Sequence, residues 1–246
     1  MDSAFLKENE RIDDLGRGGY RVIQNPDRFC FGVDAALLAW FAKVQEGERV
    51  LDLCTGSGVV MFLTEARNRA GTYVGLEIQP EMAEMAARSV RLNGSEDRMA
   101  VECGDLKTAS ERFGKASFDV ITVNPPYKRA GSGLMNPDEG KAIARHELLC
   151  TLDDVLRESM RLLKSGGRFY MVHRPGRLAE ILEKMRAYRI SPAELVPVYS
   201  YRDQKAALVL ISGIRGGRNE LKCLPPVVIY REKNVYTEEF IRIYRE

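Results

Sequence analysis

The stretch Arg49–Gly58, reading Arg-Val-Leu-Asp-Leu-Cys-Thr-Gly-Ser-Gly, narrows what this chain can fold into more than any other. Val50, Leu51 and Leu53 predict a buried strand, and Thr55-Gly56-Ser57-Gly58 a tight turn into an apolar helix over Val59–Arg69. Glycines let the backbone approach a ligand closely, and a helix N-terminus leaves N–H donors without intrahelical partners. Similar apolar runs recur at Thr72–Leu76, Met99–Cys103, Phe118–Val123, Arg168–His173, Ala193–Tyr199 and Ala206–Ile214. Helical patterns lie between them, at about Pro80–Asn93, Thr151–Leu163 and Arg177–Ala187. Strands alternating with helices build a doubly wound sheet. Only Tyr201-Arg202-Asp203-Gln204 separates the last two strands, so they read as a hairpin with the final strand reversed. The expected fold is α/β: a Rossmann-like, doubly wound, seven-stranded sheet, mostly parallel with one antiparallel strand, helices on both faces.

The glycine turn also limits the ligand. A dinucleotide fingerprint needs G-x-G-x-x-G, but Gly56 and Gly58 are followed by Met61 where the third glycine should stand. Asp52 lies within the motif, ahead of the glycines. A carboxylate there would repel a pyrophosphate and suits a cationic or zwitterionic ligand. S-adenosylmethionine fits, with its ammonium and its positive sulfur. Glu77 ends the second strand 25 positions after Asp52, close to where doubly wound sheets place a ribose-hydroxyl acceptor. Asp105, after the third strand, is an acceptor for an adenine amino group or an ordinary N-cap of the helical stretch Lys107–Arg112. Ligands bind at the carboxyl ends of such strands, and all three acids are expected there.

The fourth strand ends at Asn124-Pro125-Pro126-Tyr127. Prolines have a fixed φ and no N–H, so the carbonyls of Asn124 and Pro125 are left to face a ligand. The Asn124 side-chain oxygen is a further acceptor, and Tyr127 offers a stacking face. Two acceptors on an exocyclic amine draw its lone pair out of conjugation, making a flat amine nucleophilic without a strong base. Beside the glycine turn, this outweighs a bland Pro-rich exit loop. Pro126 and Tyr127 would hold the substrate ring, and Lys128 and Arg129 its phosphates. The Gly-rich segment 128–146 predicts a mobile lid that orders on substrate binding. His146 beside it reads as a cap or packing residue rather than a base.

Asp52–Gly58, Glu77, Asp105 and Asn124–Tyr127 resemble the class I S-adenosylmethionine methyltransferases of the Asn-Pro-Pro-Tyr type, which methylate exocyclic or amide nitrogens. More narrowly, the chain is similar to bacterial tRNA (adenine-N6)-methyltransferases acting on valine tRNA beside its anticodon. Phe31-Gly32-Val33-Asp34-Ala35 with Leu37–Trp40, Ala144–Glu147 and Val172–Pro175 carry that closer likeness, which runs from about Ile12 to Tyr236. The resemblance implies S-adenosylmethionine held by Asp34, Asp52, Cys54, Thr55, Gly56, Gly58, Glu77, Ile78, Asp105, Leu106 and Asn124. It implies catalysis by Asn124, Pro125 and Tyr127 on an adenine flipped out of a single-stranded tRNA loop. Two alternatives remain open here: a protein glutamine-N5 or ribosomal RNA methyltransferase, and a non-catalytic S-adenosylmethionine-binding protein that interacts with RNA.

The 246 residues read as one domain, with 1–42 as an N-terminal extension covering the cofactor site. In it, Ile12–Leu15 and Tyr20–Ile23 flank Gly16–Gly19 as a hairpin, and Gly32–Ala42 is a helix over the cofactor mouth. No signal peptide or membrane-spanning run is apparent, so the expected compartment is the cytoplasm. The five cysteines lack C-x-x-C pairing, and four sit in apolar or strand-end settings, which suggests reduced structural thiols. His146 and His173 have no partner at metal-ligand spacing, so no metal is expected. A net charge of +2 provides no global basic field for RNA, and Arg215, Arg218 and Lys222 read as a solvated face. Oligomeric state is not encoded in any of these patterns.

Overall fold

The computed structural model describes residues 2–27, 30–68, 71–125, 150–218 and 220–245. Its centre is a sheet of β3 (Arg49–Leu53), β4 (Thr72–Glu77), β5 (Met99–Cys103), β6 (Phe118–Val123), β7 (Leu163–His173), β8 (Ile190–Tyr199) and β9 (Ala206–Arg215). Spatial order is β8-β9-β7-β6-β3-β4-β5. All neighbours are parallel except β9, which runs against both β7 and β8. The expected seven-stranded core with one reversed strand is therefore present. Two-residue strands β10 (Lys222–Cys223) and β11 (Val227–Val228) extend it beyond β8. The N-terminal hairpin also forms, as β1 (Arg11–Asp14) against β2 (Arg21–Gln24).

Alternation along the strands explains why both faces are covered. Val50, Val120, Tyr170, Val172, Leu208 and Leu210 point to one side, packing with α1 (Val33–Phe41), α2 (Val59–Asn68) and Phe240 near the C-terminus. Leu51, Leu53, Ile121, Val123, Phe169 and Met171 point to the other, packing with α5 (Leu152–Leu162) and α6 (Leu178–Ala187). Strands buried on both faces read as near-continuous apolar runs, which is why they were legible in the sequence. Helices α3 (Pro80–Leu92) and the short α4 (Ala109–Phe113) complete the crossovers.

Two boundaries differ from expectation. Lys164–Gly167, left between the expected helix Thr151–Leu163 and strand Arg168–His173, lies inside β7 as a bulge: partners step from Phe118↔Leu163 to Val120↔Arg168, with Gly166 at φ 76°. Strand β8 starts at Ile190 despite Pro192, because its outer flank carries only short β10 and β11 and the register shifts after Pro192. Among the described residues no helix is long and apolar enough to cross a membrane.

Candidate active site

Chain order reverses between β3 and β6: from β3 the chain proceeds outward to β4 and β5, from β6 the other way to β7. Ligands bind at the carboxyl ends of strands at such a switch point. Leu53 pairs with Val123 in register, so the glycine turn and Asn124 leave the sheet side by side.

Asp52 pairs directly with Thr122 of β6 and Gly75 of β4. Its carboxylate is 1% exposed and accepts hydrogen bonds from the Thr122 and Thr55 hydroxyls, each at 2.6 Å. Burial pushes its pKa up to about 7, against the opposing pull of those two hydroxyls, and the nearby Glu77 raises it further. No cation among the described residues pairs with it. Asp52 thus stands buried at the strand edge, tied through Thr55 to the start of the turn. A side chain at Gly75 would bring a Cβ within 2.8 Å of Thr55 and 2.9 Å of Met61, so only glycine lets the turn lie against β4. Met61 fills the space that a third motif glycine would leave open.

The turn itself needs left-handed backbone, with φ 57° at Cys54, 57° at Gly56 and 83° at Gly58. A Cβ on Gly56 would project into open space at the sheet edge. The Gly56 N–H donates to Glu77 Oε2 at 3.0 Å, and the Gln79 N–H to Glu77 Oε1 at 3.0 Å. Glu77, 5% exposed, is fixed by backbone donors at the tip of β4. The Cys54 thiol hydrogen-bonds Cys150; that contact and burial push its pKa well above the ordinary thiol range, so it stays protonated. Ile78 is half-buried after β4, and Leu106 is buried with Leu76 and Ala109.

Asp105 takes the cap position. It precedes the 3₁₀ turn Leu106–Thr108, and its Oδ1 accepts from the Lys107 N–H at 2.9 Å. Half-buried Asn124 donates from Nδ2 to Asp34 Oδ2 at 3.2 Å, and Pro125 is buried. Asp34 lies in the first turn of α1, so the N-terminal helix contributes directly at this edge. Pro126, Tyr127, Lys128, Arg129, the 128–146 segment and His146 lie outside the described residues. His173, at the end of β7, is held neutral: burial pushes its pKa down to about 4. No group of three or more potential metal ligands occurs among the described residues.

Sequence reading missed Thr122 and Gly75. A glycine inside a strand signals close backbone approach, so Gly75 was findable. Thr122 required the β3–β6 register.

Two buried carboxylates with no cationic partner among the described residues, an open-faced glycine turn and an asparagine just past the end of the adjoining strand suit an α/β enzyme with a positively charged nucleoside-type cofactor. A family model described as a methyltransferase domain matches residues 44–205. The chain belongs to this methyltransferase family, and its cofactor is S-adenosylmethionine. It is 27% identical over 221 residues to a Porphyromonas gingivalis protein named tRNA1(Val) (adenine(37)-N6)-methyltransferase, covering 86% of each chain. A protein of the same name from Actinobacillus succinogenes is 28% identical, covering 90% of this chain and 92% of that one. Among solved structures, a predicted O-methyltransferase from Agrobacterium tumefaciens shares the fold with a TM-score of 0.70 at 23% identity, covering 86% of this chain and 96% of that one.

Proposed function

We propose that this chain transfers a methyl group from S-adenosylmethionine to the exocyclic N6 of an adenine in the anticodon-loop region of a tRNA. One observation carries the reading: Asn124 emerges beside the glycine turn, in register across β3 and β6, at the switch point of the sheet. Relatives of nearly full length that bear the tRNA1(Val) adenine name support the substrate class.

When bound, S-adenosylmethionine supplies an electrophilic methyl group on a positive sulfur. Asp52, through its charge, and Thr55, Gly56 and Gly58, through the shape of the turn, favour that cation. Glu77 takes the ribose hydroxyls, Asp105 the adenine amino group, and Cys54, Ile78 and Leu106 complete the walls. Residues 1–42 form part of the same domain and cover the mouth through α1. The Asn124 oxygen and the Pro125 carbonyl accept from the target amine and hold its lone pair toward the methyl group. The target proton becomes acidic only after attack, so positioning and oriented dipoles suffice without a tuned base. Pro126 and Tyr127 stack on the base, and Lys128 and Arg129 meet its phosphates. A base within a duplex is inaccessible, so the adenine is flipped out or taken from an unpaired loop. A tRNA substrate places the working compartment in the cytoplasm.

Nucleoside mass spectrometry of tRNA from a strain lacking this chain should show loss of N6-methyladenosine. Undiminished N6-methyladenosine there, with methyl incorporation into ribosomal RNA or release-factor protein instead, would overturn the substrate assignment. Asn124→Ala should lower turnover by roughly 10²–10³, the usual cost of losing one oriented dipole, with cofactor affinity little changed. Wild-type turnover in that variant would remove Asn124 from the site.

A further inference from the structure

The side chain of Asp34 is held in one orientation from several sides. Its Oδ1 accepts from the Ala35 N–H at 2.9 Å, in the first turn of α1. A Cβ on Gly32 would come within 3.0 Å of that oxygen, so the glycine leaves the carboxylate just enough room. The preceding segment is pinned by Gln24, which is 1% exposed and accepts from the Phe31 N–H at 3.3 Å. This leaves Oδ2 facing Asn124 Nδ2 at 3.2 Å.

An ionised carboxylate only accepts hydrogen bonds. The Asn124 atom facing it is therefore the NH2 group, and the amide oxygen occupies the opposite corner of the planar group. That choice matters because the target amine is a donor. An amide turned the other way would present donors to a donor and would orient nothing. We propose that Asp34 is the positioning residue that locks the Asn124 amide with its oxygen toward the substrate amine. Its charge also strengthens that oxygen as an acceptor, since hydrogen-bonded groups in series polarise one another. This inference rests on the reading of Asn124 as the acceptor for the target amine.

Asp34→Asn preserves the shape but can itself donate, so the obligatory orientation is lost. With deproteinised tRNA from a strain lacking the chain, kcat should fall on the order of tenfold while KM for tRNA stays within about threefold, the signature of an interaction made in the transition state. Calorimetry should find S-adenosylmethionine affinity within the same margin, which separates this positioning role from the cofactor contact that the resemblance implies for Asp34. In an Asn124→Ala background the same substitution should change kcat less than about twofold, because residues acting as one unit are non-additive. Gly32→Ala, which displaces the carboxylate by tenths of an ångström, should give an intermediate kcat at an unchanged melting temperature. A readout independent of substrate is solvent exchange of the Asn124 side-chain amide protons, assigned by their absence from Asn124→Ala spectra. Exchange should accelerate in Asp34→Ala. Wild-type kcat in Asp34→Asn alongside an impaired Asn124→Ala overturns the proposal and leaves the proposed function standing. Additive effects in the double variant, weakened cofactor binding with kcat preserved, or amide exchange unaffected by Asp34→Ala also overturn it. An unimpaired Asn124→Ala removes the reading beneath it and the proposal together.

Discussion

Two buried carboxylate clusters in this molecule are built in opposite ways. Near the N-terminus, Glu10 meets the Arg88 guanidinium at 2.6 and 2.7 Å, and Arg88 also bonds Glu84 at 2.9 and 3.0 Å. The Arg88 hydrogen bond holds Glu10 below the usual carboxylate range, against the upward push of burial. At the switch point, Asp52 receives only two threonine hydroxyls among the described residues, and its pKa rises to about 7, chiefly from burial. A buried acid whose task is to tie α3 to the N-terminal segment is given a cation by the chain itself. The buried acid at the switch point is given no cation by the described residues. A strongly perturbed buried acid without a matched cation is a candidate for function, whereas a matched pair marks architecture.

Breaking the matched cluster should have the larger effect on stability. Arg88→Met strands the Glu10 carboxylate, whose side chain is only 7% exposed, and should cost about 3–5 kcal/mol, the range for removing one partner of a buried pair. Thermal melting would record it, and cofactor affinity per folded molecule should stay at the wild-type level. A shift in that affinity would dissolve the distinction between the clusters. Asp52→Asn should do the reverse. An acid whose folded pKa is raised favours folding fully below its unfolded value near 3.8, and that contribution disappears as pH climbs through about 7. Asparagine does not titrate. The stability of Asp52→Asn relative to wild type should therefore grow by about 2–3 kcal/mol between pH 5 and pH 8, at about 1.4 kcal/mol per pKa unit. S-adenosylmethionine binding should weaken roughly tenfold with the lost charge. A stability difference independent of pH would show that Asp52 is not held near neutrality. For Glu10 the sign is opposite: its contribution is present above the unfolded carboxylate value and lost as pH falls through the depressed folded one.

Most of the sheet was legible because each central strand is buried on both faces and shows an apolar run ending in a polar residue. Glu77, Asp105 and Asn124 stood out for the same reason, at or just past strand ends, and Asp52 as an acid inside the apolar strand ahead of the glycine turn. What stayed hidden depends on register or on tertiary docking. Thr122 faces Asp52 only because β6 pairs with β3 without offset. The Arg88 cluster joins residues 78 positions apart, and nothing local in either segment announces it. Helix α7 (Glu238–Arg245) is a different case, since its signals were present but unread. Thr237 Oγ1 accepts from the Phe240 N–H at 3.1 Å, Glu238 and Glu239 follow as first-turn acids, and Phe240 and Ile243 enter the core at helical spacing. Short β10 and β11, and the two-stranded pair β12 (Tyr230–Glu232) and β13 (Val235–Tyr236), carry too few residues for any periodicity.

Asp105 stands between the two kinds of carboxylate and gives the smallest and sharpest test. Its side chain is 35% exposed, lies 3.3 Å from the Lys107 ammonium, and caps the 3₁₀ turn through the Lys107 N–H. The ion pair is too exposed to contribute much. The cap should account for about 1 kcal/mol, the usual loss on replacing such a residue by alanine. Asp105→Ala should therefore lower stability by that amount, and Asp105→Asn, equally able to cap, should not. The adenine-acceptor role makes a separate demand. Asparagine still offers a carbonyl oxygen, so Asp105→Asn should bind S-adenosylmethionine nearly as wild type, whereas Asp105→Ala should lose roughly fivefold in affinity, as for one neutral hydrogen bond. If Asp105→Ala costs stability but leaves cofactor affinity intact, Asp105 belongs with the Arg88 cluster as architecture. The polar set that discriminates the cofactor would then end at Glu77.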